Sequence, residues 1–158
     1  MKIRPIEILD NEQLASVIRF VFEELNAPKI GTAYADPYLN QLFEVYQKKN
    51  SIYFVIENNG KIVGGCGIAP LENGNSAICE LQKMYFMPEI RGLGLARIGI
   101  EKCLEFAKNN GFTYCYIETL PLMEVAQQVY LKLGFSYLDA PMGNTGHGSC
   151  DIWMGKLL

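Results

Sequence analysis

Arg91-Gly92-Leu93-Gly94-Leu95-Ala96-Arg97 is the stretch on which the reading of this chain turns. The residues before it, Ser76 to Met87, read as a strand. The residues after it, Gly94 to Asn109, place Ala96, Ile100, Cys103, Leu104 and Ala107 at the spacing of a buried helix stripe. A helix N-terminus offers unpaired N–H groups and a partial positive charge. Glycines let a phosphate approach those groups with no Cβ in the way. Arg91 and Arg97 add positive charge where an anion would sit. Taken alone, the glycines fit a bare strand-to-helix turn as well as an anion site. The dinucleotide fingerprint needs a third glycine, and the sixth position from Gly92 is Arg97. No G-x-x-x-x-G-K-[ST] run exists, so a nucleoside-triphosphatase loop is excluded.

Upstream, Lys2 to Ile8 reads as a strand. Asp10 and Gln13 look like a capping box for a helix bearing Leu14, Val17, Ile18, Val21 and Leu25, which Asn26 and Pro28 end. Ala27 to Asp36 reads as a loop, and Pro37 to Lys49 as a second helix with Asp36 as its cap. Ile52 to Ile56, the turn Asn58-Asn59-Gly60 and Ile62-Val63 form a hairpin signal, and Glu72 to Asn75 is a second turn. The expected result is an antiparallel meander of three strands. Downstream, Gly111 ends the long helix and Phe112 to Glu118 reads as a strand. Leu122 to Leu133 is a helix, and Phe135 to Leu138 and Cys150 to Leu157 are strands. Strands first in a meander, then alternating with helices, predict an α/β or α+β sheet. With no repeat or linker, residues 1–158 are expected to form a single domain.

Hydrophobic residues make up 49% and charged residues 20%, the balance of a soluble globular chain. The net charge of −3 argues against a nucleic-acid partner. No apolar run approaches the ~20 residues of a membrane span, and Met1 to Asp10 lacks a signal's apolar core. Five cysteines, an odd number without a C-x-x-C pair, suit a reducing cytoplasm. With one histidine, His147, no metal site is expected.

The run Leu81 to Ala96 resembles the central motif of the GNAT family of N-acetyltransferases, Q/R-x-x-G-x-G/A, matched by Arg91, Gly94 and Ala96. Ala126 to Phe135 resembles the family's second signature, A-x-x-x-Y-x-K-x-G-F, through Ala126, Tyr130, Lys132, Gly134 and Phe135. One departure is plain: Met123 stands where many members have an Asn that touches the pantetheine arm. The resemblance implies a mixed, mostly antiparallel central sheet, splayed into a V and flanked by helices, with the thioester of acetyl-CoA in the opening. It implies that Arg91, Gly92, Leu93, Gly94, Leu95, Ala96 and Arg97 hold the pyrophosphate, with Met123 and Lys132 also on the coenzyme side. The backbones of Phe86 and Met87 would pair with the pantetheine arm, and one of their N–H groups would polarise the thioester carbonyl. Homodimers are common in folds of this kind.

Amide formation from a thioester sets three tasks: a proton must leave the ammonium, an oxyanion needs a donor, and the thiolate needs a proton. Glu80 is the candidate base, since six residues from Phe86 period-2 alternation puts both on one face. An ordinary glutamate is a poor base, so this one needs burial or a water chain. The competing reading is a surface carboxylate paired with Lys83. Phe86 is the candidate N–H donor, and Tyr130 the candidate acid. Glu118 is the reserve base. His147, Tyr34, Asp36 and Tyr38 are candidate acceptor contacts, each also readable as ordinary loop chemistry. Cys79 and Cys150 lack a recognisable catalytic histidine and read as buried thiols. The expected activity is acetyl transfer from acetyl-CoA to a primary amine of a small molecule or peptide. The alternatives are a non-catalytic acyl-CoA sensor and, more distantly, a nucleotide-binding protein.

Overall fold

Asn59 and Gly60 both take positive φ, 50° and 79°, and fold β2 (Ile52–Asn58) back onto β3 (Lys61–Pro70). The Asn-Gly pair closes the hairpin as its turn chemistry dictates. A second turn, with Asn73 at φ 52°, leads into β4 (Ile78–Phe86), antiparallel to β3. The computed structural model describes residues 1–158. β1 (Lys2–Pro5) pairs antiparallel with β2. β5 (Tyr114–Thr119) is parallel to β4, and β7 (Ile152–Leu157) separates β5 from β6 (Ser136–Tyr137). The sheet order is β1-β2-β3-β4-β5-β7-β6, mixed and mostly antiparallel as expected.

The sheet is splayed. β4 and β5 register only through Ile78–Tyr114, Cys79–Cys115 and Glu80–Tyr116. Beyond Glu80, β4 continues along β3 to Phe86, while Ile117 to Thr119 of β5 stay with β7.

Helices cover both faces. α1 (Asn11–Glu24) buries Leu14, Val17, Ile18, Val21 and Phe22, and packs with Tyr53 and Val55 of β2. α3 (Leu95–Asn109) buries Ile100, Cys103, Leu104 and Ala107 against Cys66, Ile68 and Leu81 on the other face. α4 (Glu124–Lys132) sends Tyr130 into that second core. Ile100 is completely enclosed. Ile100→Ala should therefore cost about 2–5 kcal/mol. A urea titration should show a lower midpoint at unchanged slope.

Two local expectations are corrected. Pro37 to Lys49 is not one helix: Leu39–Gln41 is a 3-10 turn and α2 covers only Leu42–Val45. Leu39, Leu42 and Tyr46 are nevertheless buried, and Phe43 is half-buried. Asp36 caps nothing, because its carboxylate is drawn into ion pairs described below. Asp10 likewise makes no capping box with Gln13. Its oxygens take the Arg4 guanidinium at 2.7 and 2.9 Å and the Glu7 N–H at 2.7 Å, while Gln13 accepts from the Ile62 N–H at 3.0 Å. Arg4 offsets burial and holds Asp10 below the usual carboxylate range. All five cysteines are free, four of them buried. No helix is long and apolar enough to cross a membrane.

Candidate active site

The site begins with a bulge in β4. Gly67 registers with Gln82 and Gly65 with Tyr85, so three steps of β4 cover two of β3. Lys83 takes φ +50° at this point, and its carbonyl accepts the Tyr53 hydroxyl at 2.6 Å. A bulge reverses which face later residues point to. Ala69, Gly67 and Gly65 share one face of β3, so their partners Glu80, Gln82 and Tyr85 share it too. Phe86, opposite Gly64, faces the other way. The alternation that put Glu80 and Phe86 on one face is thus off by the one inserted residue. A side chain at Gly65 or Gly67 would fill space taken by Tyr53 and Tyr46: an added Cβ would stand 2.4 Å and 2.5 Å from the Tyr53 ring.

Glu80 is 3% exposed. Burial lifts its carboxyl to about 7, a Gln82 hydrogen bond opposes that, and the charge of Glu118 adds to it. The Gln82 amide donates to Oε2 at 2.6 Å, and the Tyr46 hydroxyl donates to Gln82 Oε1 at 2.9 Å. Lys83 does not pair with Glu80; its ammonium pairs with Asp36. Asp36 also meets His147 Nε2 at 3.0 Å. Burial opposes the Asp36 charge, but His147 and Lys83 outweigh it and keep the group below the usual range. Glu118 accepts from the Tyr116 hydroxyl at 2.8 Å and from Thr145 Oγ1 at 2.5 Å. Ligating atoms of Glu80, Glu118 and His147 lie within 4.8 Å of one another. The structure therefore gathers three of the candidate residues from two strands and a late loop. Tyr34 and Tyr38 stay outside: the Tyr34 hydroxyl donates to Glu23 at 2.9 Å, and Tyr38 is 61% exposed.

Between the splayed strands lies a small pocket of about 40 Å³, lined by Met84, Tyr85, Glu118, Met123, Tyr130 and Cys150 among others. Burial pushes the Tyr130 phenol well above its ordinary value, and pushes the Cys150 thiol up to about 12. Cys150 is accordingly no nucleophile near neutrality. Met123 precedes α4 and faces this pocket, while Lys132 is exposed in the last turn of α4.

At the pocket's rim, the Met87 N–H donates to Val63 O at 2.9 Å, so it is not available to a ligand as expected. Neighbouring residues of a strand point their N–H groups to opposite edges. The Phe86 N–H is thereby aimed at the edge that β5 has left, and the Phe86 carbonyl takes Arg91 Nε at 2.9 Å. Next come a 3-10 turn, Pro88–Ile90, and then Gly92 and Gly94, both at φ 77°, before α3. A Cβ on either glycine would meet nothing within 4 Å. The turn is bare, with Leu93 and Arg97 exposed and Leu95 and Ala96 half-buried. The arginines are not poised over it: Arg91 holds Glu24 at 2.6 and 3.0 Å, and Arg97 holds Glu101 at 2.8 Å. An anion here would be held by main-chain N–H groups.

Gln82, Tyr46 and Thr145 escaped the sequence reading as site-builders. Tyr46 reaches Gln82 across 36 residues and Thr145 reaches Glu118 across 27, and no local pattern marks them.

A sequence model of the acetyltransferase (GNAT) family matches residues 18–135. The chain is 45% identical over 153 residues to "Uncharacterized N-acetyltransferase YjgM" of Escherichia coli (strain K12), covering 96% of this chain and 91% of that one. Among solved structures, a GNAT-family acetyltransferase from Staphylococcus aureus MU50 superposes with TM-score 0.87 at 22% identity, over 99% of this chain and 98% of that one. An aminoglycoside 6'-N-acetyltransferase complexed with coenzyme A gives TM-score 0.72 at 16% identity, over 99% and 97%. These two likenesses are likenesses of fold.

Proposed function

Because this chain belongs to the GNAT acetyltransferase family and is an acetyl-CoA-dependent N-acetyltransferase, we propose that it acetylates a primary amine of a small molecule or peptide by direct attack on the thioester, with Glu80 as the base. The observation that carries this reading is the buried Glu80 carboxyl, held near 7 beside the pocket.

The energetics favour that group. Moving a proton from an alkylammonium to an ordinary glutamate is uphill by about 8 kcal/mol; to a carboxyl near 7 it is uphill by about 5 kcal/mol. Glu118 shares the cluster but takes two hydroxyl hydrogen bonds, which suits a fixed negative charge. The diphosphate of acetyl-CoA would rest on the N–H groups of Gly92 to Arg97, where the open space over both glycines fits it. The pantetheine arm would run along the edge of β4, and the Phe86 N–H would face the developing oxyanion.

Tyr130 is a weaker acid than a free phenol. Complete transfer of its proton to a thiolate whose acid has pKa ~8.5 is therefore well uphill, and its role is to donate a hydrogen bond as the thiolate departs. Tyr130→Phe should lower kcat about tenfold to a hundredfold, with the acetyl-CoA dissociation constant within about twofold. The test is thiol release from acetyl-CoA over a panel of primary amines, with calorimetry for binding. Acceptor-independent thiol release throughout the panel, or equal kcat in variant and wild type, would remove the proposed chemistry from this residue.

A further inference from the structure

We propose that Met123 closes the acyl end of the pocket between the splayed strands, so that the acetyl group of the donor fits and longer acyl chains are turned away. This deepens the reading given above and rests on it for the placing of the thioester beside Tyr130.

The pocket lies where two cores meet. Tyr130, Ile117 and Leu81 belong to the core under α3, Phe22 and Leu120 to the core under α1. Met123, the residue before α4, packs against the α1 core. The rest of that wall is fixed. Phe22 is 1% exposed and its ring packs on Tyr85 with centroids 5.3 Å apart, while Leu120 is buried as well. Met123 is the movable piece: half-buried, unbranched, and taking one polar contact, the Thr119 hydroxyl, at 3.7 Å from its sulfur.

The lining points to an aliphatic occupant. Nine of the twelve lining residues are hydrophobic, and the three polar ones are already engaged. Lys83 pairs with Asp36, Glu118 takes the Tyr116 and Thr145 hydroxyls, and Thr119 donates to Met123. Such a space suits the tail of an acyl group better than a charged acceptor. Size then sets the length. A cavity of about 150 Å³ takes a benzene ring, so one of about 40 Å³ has room for about one or two carbons. An acetyl group meets that limit. A butyryl group brings two further carbons, which the enclosed wall cannot yield to. Truncation of Met123 to alanine removes three heavy atoms from the wall and makes the room that butyryl lacks.

The experiment measures kcat/KM for acetyl-, propionyl- and butyryl-CoA by thiol release, with the most active amine of the panel above held saturating. Wild type should lose about tenfold or more per added methylene. Met123→Ala should shrink the acetyl-to-butyryl ratio about tenfold or more. Met123→Leu, of similar volume, should keep the ratio within about threefold, and Met123→Phe should widen it. Val125→Ala is the control, since Val125 stands in the first turn of α4 but is 82% exposed, and it should leave the ratio unchanged. A merely structural role for Met123 would lower all three donors together. Equal kcat/KM for the three donors in wild type, or a ratio that Met123→Ala leaves in place, overturns the gate. No acceptor-dependent release from any donor overturns the function proposed above instead. Calorimetric dissociation constants of the same thioesters then judge the gate: butyryl-CoA should bind wild type about tenfold or more weaker than acetyl-CoA and recover in Met123→Ala, and equal constants overturn it.

Discussion

Glu80→Gln should cut turnover by about two to three orders of magnitude, and it should make the folded protein more stable above neutral pH. The catalytic half follows from protonation. Below the Glu80 midpoint of about 7 the base is occupied by a proton, so kcat/KM should fall about tenfold per pH unit there and level off above it. In the glutamine variant that limb should vanish from the residual rate. The stability half follows from linkage. The folded carboxyl holds its proton up to about 7, whereas the unfolded chain releases it near the ordinary value of 4.5. The folded state therefore binds more protons across this window, and stability is present below 4.5 and lost as pH rises through 7. The full loss is on the order of 3 kcal/mol. Glutamine does not titrate and can still accept from Gln82. Thermal unfolding at pH 5 and pH 8 should show the variant gaining on wild type as pH rises. A parallel pH dependence in the two proteins would mean that Glu80 is not held near neutrality.

Gly94→Val should raise the acetyl-CoA dissociation constant about thirtyfold or more, and kcat at saturation should change little. Gly94 sits at φ 77°, where a β-branched residue is strained by about 1–2 kcal/mol. In the protein itself an added Cβ meets nothing within 4 Å. It would occupy the space over the helix N-terminus in which the diphosphate would lie. Gly60 is the built-in control, at φ 79° and equally unobstructed but in the β2–β3 turn. Gly60→Val should lose similar stability and keep acetyl-CoA affinity. Equal affinity in the two variants would show that the Gly92–Gly94 turn is only a turn.

Much of this architecture was readable because its determinants are local. Asn59-Gly60 carries its turn in two residues, and the α3 stripe from Ile100 to Ala107 repeats at one period. The alternation that singled out Glu80 fails at Lys83. A lysine at φ +50° carries no compositional flag, and a single inserted residue in β4 reverses a face. The break in the segment from Pro37 to Lys49 was hidden for the opposite reason. Its buried positions suit a helix and a pair of tight turns alike. The insertion of β7 between β5 and β6 and the Asp36–His147 pair are long-range outcomes of packing, with no counterpart in any window of sequence.

The three-residue seam between β4 and β5 has one more consequence. Past Glu80, β4 becomes a margin whose peptide groups are ready to dock any extended chain, the situation that elsewhere seeds aggregation. A coenzyme seated along that margin, as proposed above, would present its two amides to those peptide groups and so cover the open edge of the strand.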